Sequence, residues 1–83
     1  MKVSVKYFAS IREAIGQSGE LVQTQAATVG ALRDELIVRG GAYAQSLARG
    51  KLVRVAVAQV MRDDTAALEE GCEVAFFPPV TGG

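Results

Sequence analysis

Cys72-Glu73-Val74-Ala75-Phe76-Phe77-Pro78-Pro79-Val80-Thr81-Gly82-Gly83 closes the chain, and its reading decides the fold. Cys72 to Phe77 reads as a strand, and Pro78 stops it because proline has no amide hydrogen to donate to a ladder. By the period-two alternation of a strand, Cys72, Val74 and Phe76 share one face and Phe77 takes the other. Val80-Thr81-Gly82-Gly83 suits neither helix nor strand, so the end is expected to project from the fold. A free carboxylate on so slender a tail is a chemical handle. Gly83 is therefore the candidate reactive residue, and Gly82 adds no side-chain bulk beside it.

Working outward, a strand that ends the chain needs partners, and the opening stretch offers one. Lys2-Val3-Ser4-Val5-Lys6-Tyr7-Phe8 alternates polar and apolar, with Val3, Val5 and Tyr7 on the core side and Phe8 an aromatic on the polar side. Ser10-Ile11-Arg12-Glu13 has capping-box spacing, which predicts a short helix capped by Ser10 and stopped by Gly16. Glu20 to Thr24 predicts a second strand. Thr28 predicts the N-cap of a longer helix to about Arg39, with Val29, Leu32, Leu36 and Ile37 as its apolar stripe and Gly30 a mild penalty. Gly40-Gly41 end that helix, and Tyr43 with Leu47 predict another short one.

Lys51 to Val57 alternates again, with Val53, Val55 and Val57 inward, and Val60 to Arg62 follows as a short strand across a tight turn. Asp63 to Gly71 reads as a polar loop whose acid pairs are solvated. One long helix across a mixed sheet of four or five strands, with the first and last strands adjacent in the middle, is the β-grasp or ubiquitin-like arrangement. The predicted class is α+β: a β-grasp domain over residues 1–77, followed by an extended tail over residues 78–83.

Composition narrows the functions. Eighty-three residues make one small domain, and a hydrophobic content of 49% is ample for a core. Nine basic and nine acidic residues cancel, which removes a bulk electrostatic case for nucleic acid or anionic membrane. No signal peptide or membrane-length stretch is visible, and the lone Cys72 cannot form an internal disulfide, so a cytoplasmic setting is expected. There is no histidine, no cysteine–carboxylate cluster at metal-ligand spacing, no phosphate loop and no nucleophile elbow. Few parts remain for a self-sufficient enzyme, and no metal or bound cofactor is expected.

The ending Phe76-Phe77-Pro78-Pro79-Val80-Thr81-Gly82-Gly83 resembles that of the molybdopterin synthase small subunits, the sulfur carriers of molybdenum-cofactor biosynthesis. Phe8-Ala9-Ser10-Ile11-Arg12-Glu13, Thr28-Val29-Gly30-Ala31-Leu32 and Glu70-Gly71-Cys72-Glu73-Val74-Ala75 match too, so the resemblance spans the chain. Two stretches depart from it: Val57-Ala58-Gln59 stands where Val-Asn-Gln is common, and Ala66-Ala67 where a proline is.

The resemblance implies that a ubiquitin-activating-like adenylyltransferase uses ATP to adenylate the Gly83 carboxylate. Sulfur from a cysteine-desulfurase or rhodanese-type relay then makes a thiocarboxylate. That sulfur is donated inside the large subunit to a cyclic pyranopterin precursor, building half of a dithiolene. The implied assembly is a heterotetramer of two small and two large subunits, with the catalytic pocket in the large one. The residues suit that chemistry. Adenylation gives a poor electrophile a good leaving group, and the tail from Pro78 spans roughly 20 Å at up to ~3.6 Å per residue. Pro78 and Pro79 favour an extended start, and Val80 and Thr81 carry the chain toward Gly82.

Phe8 and Phe77 are expected to meet beside the tail root as a docking patch, joined by Met61, with Pro78, Pro79, Val80 and Thr81 of the tail also expected to contact the partner. Cys72 reads as core filler rather than as a sulfur carrier. Arg49, Lys51 and Arg54 form a modest basic group that reads as a solvated face. Two other functions share the fold and the diglycine end: a sulfur carrier for thiamine or tRNA thiolation, and a ubiquitin-like modifier joined to lysines through Gly83. The residues before Gly82 favour the molybdopterin branch.

Overall fold

A computed structural model gives the architecture and describes residues 1–79. Eight elements follow one another: β1 (Lys2–Tyr7), α1 (Ala9–Ile15), β2 (Gly19–Gln23), α2 (Val29–Val38), α3 (Gly41–Leu47), β3 (Arg54–Val57), β4 (Val60–Arg62) and β5 (Glu73–Phe77). The strands form one sheet in the order β2-β1-β5-β3-β4. The first and last strands lie side by side and parallel, with Val5 opposite Val74 and Tyr7 opposite Phe76. The remaining pairs are antiparallel. This is the mixed β-grasp sheet expected from the pattern.

The alternation of β1 sorts its side chains as the sequence predicts: Val3, Val5 and Tyr7 are fully buried. They pack with Val74 and Phe76 of β5 and with Val29, Leu32 and Leu36 from the apolar stripe of α2. Each such side chain contributes roughly 1.5–3 kcal/mol on leaving water. Tyr7 and Phe76 stack with ring centroids 6.5 Å apart, joining β1 and β5 within the core. The Thr28 hydroxyl accepts from the amide of Ala31, capping α2.

The structure corrects several expectations. Ser10 does not cap α1: Phe8 holds the N-cap position without a side-chain hydrogen bond, and Ser10 lies in the first turn. Strand β1 runs straight into the corner at Ala9 (φ 52°), which leaves no room for a separate capping residue. Strand β3 begins at Arg54 rather than Lys51, so Val53 lies before it and is only half-buried. The 63–71 segment is more than a polar loop, because its Ala66 and Leu68 are buried in the core. A bridge from Thr28 to Ala67 ties this segment to the start of α2.

Gly30 serves that junction. Its amide donates to the Asp64 carbonyl at 2.8 Å, and an added Cβ would lie 3.2 Å from that same oxygen. The helix approaches the loop this closely because position 30 carries no side chain.

Candidate functional site

The parallel pairing of β1 and β5 brings Phe8 and Phe77 together at one end of the sheet. The Phe8 amide donates to the Phe76 carbonyl at 3.1 Å, which continues the ladder one residue past β1. Left-handed Ala9 then turns the chain into α1 and leaves Phe8 on the outer face, 45% exposed. The rings of Phe8 and Phe77 meet edge to face, centroids 6.4 Å apart at 86°. That geometry suits the aromatic quadrupole and contributes about 0.5–1.5 kcal/mol beyond area burial.

Arg54 is the register partner of Phe77. Met61, 51% exposed, pairs with Ala56 and shares the outer face, one side-chain row further from the tail. Of the expected docking residues, Phe8 and Phe77 are thus in contact and Met61 stands apart across Ala56.

Pro78 and Pro79 follow β5 and are half-buried. Each lines a groove. Pro78 borders one of about 290 Å³ between α1 and the 51–53 segment, and Pro79 one of about 550 Å³ between that segment and the end of β4. Val80, Thr81, Gly82 and Gly83, the rest of the expected tail, lie outside the described residues. Cys72 is half-buried and packs against the core. Among the described residues no group of metal-ligating side chains occurs, and no helix is long and apolar enough to cross a membrane.

The segment between the two grooves is held by Arg33, which the sequence reading overlooks. It lies in the apolar stripe of α2 and is 6% exposed. Its guanidinium donates to the carbonyls of Leu47 (2.7 Å), Ala48 (2.8 Å) and Lys51 (3.2 Å) and pairs with Asp64 at 3.6 Å. Burial lowers its pKa from the usual arginine value, yet an arginine so well supplied with acceptors keeps its charge. The only signal in the sequence is a cation one helical turn from Val29 on the buried face.

The basic group is also redrawn. Arg49 is not part of a free face: it donates to both Asp34 oxygens, to Asp64 and to the Gly30 carbonyl. That hydrogen bonding holds Asp34 below the ordinary aspartate range. Asp64 is therefore bonded rather than solvated, and Asp63 accepts from the amide and hydroxyl of Thr65, which lowers its pKa.

A second polar cluster centres on Glu20 of β2. It accepts from the hydroxyls of Tyr7 (2.8 Å) and Tyr43 (2.7 Å) and from Arg39 (2.9 Å). Burial raises the Glu20 pKa, but the hydrogen bonds from Tyr43, Arg39 and Tyr7 outweigh it and leave the carboxyl below its ordinary value. For Tyr7, burial and the Glu20 hydrogen bond both push the phenol up. The cluster fastens α3 to the sheet and carries no docking residue.

Comparison with known proteins extends this picture to the chain end. The model of the ThiS family matches residues 5–83. The molybdopterin synthase sulfur carrier subunit of Haemophilus influenzae is 41% identical over 81 residues, covering 98% of this chain and 99% of that protein. Among solved structures, SAMP1 of Haloferax volcanii, a small archaeal modifier protein, superposes with a TM-score of 0.80 at 27% identity and full coverage of both chains. A complex of subunits 1 and 2 of the molybdopterin-converting factor from Helicobacter pylori contains the same fold, with a TM-score of 0.70 at 24% identity, 100% of each chain covered.

Proposed function

The chain belongs to the ThiS family, and from that premise we propose that it is the sulfur-carrier subunit of a molybdopterin synthase. The observation that carries the reading is that the family match runs to residue 83 and so includes the diglycine end. The high identity to a molybdopterin synthase sulfur carrier over nearly the whole chain selects this pathway within the family.

The reactive atom is the carboxyl carbon of Gly83. Its carboxylate attacks ATP on a ubiquitin-activating-like enzyme, and pyrophosphate leaves. A persulfide on a relay protein of the cysteine-desulfurase or rhodanese type then attacks the acyl carbon and AMP leaves. A thiol of the activating or relay protein cleaves the resulting acyl disulfide, releasing the thiocarboxylate and keeping the disulfide on those proteins. Gly82 and Gly83 let that end enter a narrow channel, and Pro78-Pro79 limit the entropy lost on insertion. The polar groups that act on the pterin belong to the large subunit, with which this chain forms a heterotetramer in the cytoplasm. ATP is a substrate of the activating enzyme, and this chain binds no cofactor of its own. Phe8 and Phe77 form the docking patch, and their edge-to-face contact at the tail root supports that role.

Intact mass after incubation with ATP, the activating enzyme and a sulfur source tests the reading. An oxygen-to-sulfur increment on the C-terminal peptide is expected. A second reading, a protein modifier joined to lysine through Gly83, is favoured by the likeness to SAMP1. It predicts a lysine-linked adduct instead.

A further inference from the structure

We propose that the groove beside Pro79 is a second docking site, for a carboxylate-bearing segment of the large subunit that receives the tail. The inference rests on the carrier reading and adds to it the chemistry of the contact. The groove holds about 550 Å³ and is lined by four basic and two acidic side chains.

The two acids are already engaged. Asp64 bonds to Arg49 and Arg33, and Asp63 accepts from Thr65. Of the cations, Arg33 is buried and bonded. Lys51, Arg54 and Arg62 are exposed, and among the described residues none of them has a carboxylate within ion-pair distance. Asp63 beside Arg62 feels its charge without pairing to it. The groove therefore keeps a positive rim. Its floor offers apolar surface as well, because Leu52 is 81% exposed and Met61 51% exposed.

The charge is segregated along the molecule. Arg54 opens β3 and Arg62 ends β4, both at the end of the sheet where β5 reaches Phe77. Glu69, Glu70 and Glu73 gather at the opposite end, where Gly71 bonds to the Lys2 carbonyl and Glu70 accepts from the Lys2 amide. A chain of zero formal charge thus presents a positive end around its tail.

The groove also adjoins the aromatic patch, since Arg54 lines the groove and is the register partner of Phe77. A partner that covers Phe8 and Phe77 reaches it without a second approach. Three cations around apolar surface fit an apolar side chain flanked by carboxylates. Nucleic acid would call for a longer basic stripe. Exposed rim charges of this kind act on the rate of encounter more than on the lifetime of the complex.

Stopped-flow association of the full chain with the large subunit, at low and physiological salt, tests the proposal. Arg54→Glu with Arg62→Glu is expected to lower the association rate at low salt by ~10-fold or more and to flatten its salt dependence, with a smaller change in dissociation. Arg54→Lys with Arg62→Lys keeps the charge and is expected to keep the rate. Arg54→Gln with Arg62→Gln should fall between and covers the case in which charge reversal unfolds the chain. An unchanged rate and salt slope in the Glu and Gln variants overturns the proposal. So does a chemical-shift change at Arg54 and Arg62 in the isolated chain when residues 80–83 are deleted, which would assign the groove to the chain's own end. A wild-type chain that takes no sulfur and binds no large subunit overturns the carrier reading. One that does both while the charge variants associate normally overturns only the groove.

Discussion

The two ends of the sheet are built from the same materials and organised for opposite purposes. At the tail end, Phe8, Phe77, Arg54 and Arg62 stay exposed or half-exposed around Pro78 and Pro79. At the far end, the acids of residues 69–73 and a two-residue turn at Ala58-Gln59 simply close the sheet. Both ends contain non-glycine residues with positive φ: Ala9 at 52° near the tail, and Ala58 at 50° with Gln59 at 68° far from it. The conformations are alike, but their consequences differ. Ala9 turns the chain so that Phe8 faces outward beside Phe77, whereas Ala58-Gln59 only reverses the chain between β3 and β4. Strain near a site can serve the site, and strain remote from it is open to removal.

The comparison breaks most visibly at the tail. Deleting Gly82 and Gly83 is expected to abolish sulfur loading, read by intact mass, while the melting temperature stays within a degree or so of wild type. Next, Phe77→Ala is expected to weaken large-subunit binding by about 2 kcal/mol, roughly 30-fold. Unchanged affinity in calorimetry would remove Phe77 from the dock.

A smaller effect belongs to the Glu20 cluster, which lies toward the tail end through Tyr7. The folded pKa of Glu20 is depressed from its ordinary 4.5, so the folded state binds fewer protons than the unfolded one below that pH. Its contribution is therefore complete above about pH 4.5 and lost as pH falls through the depressed folded value. Glu20→Gln is expected to cost about 1–2 kcal/mol at neutral pH and to flatten the acid limb of the stability curve. Denaturant titrations at pH 7 and in the acid range measure both; an acid limb of unchanged slope would exclude Glu20 as its source.

The smallest change tests the far end. Ala58→Asn places a residue that tolerates the left-handed region in a turn that demands it. A gain of about 0.5–1 kcal/mol in unfolding free energy is expected, with sulfur loading unaffected. A loss of loading would show that the two ends are coupled.

Much of this contrast was legible in the residues. Parity alone put Val3, Val5 and Tyr7 inside and Phe8 and Phe77 outside, and adjacency of the first and last strands brought the two phenylalanines together. Thr28 as a cap and Gly16 as a stop were local signals of known chemistry. The reading failed where position depended on segments distant in the chain. Ser10 has capping spacing, but the corner at Ala9 moved the cap to Phe8. Gly30 reads as a weak helix residue until the Asp64 carbonyl is seen against it. Arg49 and Asp64 look solvated in a polar sequence, yet they bond to each other across the start of α2.

By itself, the sequence determined the alternation of the strands and the apolar stripe of the long helix, and it supplied the diglycine that the proposed chemistry uses. These follow from local periodicity and from the backbone limits of proline and glycine, which hold wherever the segment is placed. Only the tertiary structure decided which charges remain unpaired among the described residues. Arg33 and Arg49 are bonded because α2, the 47–51 segment and the 63–65 loop converge on them, while Lys51, Arg54 and Arg62 are left at the rim. Pairing energies depend on distance and burial rather than on order along the chain, so the positive end of a neutral protein emerges only once the chain is folded.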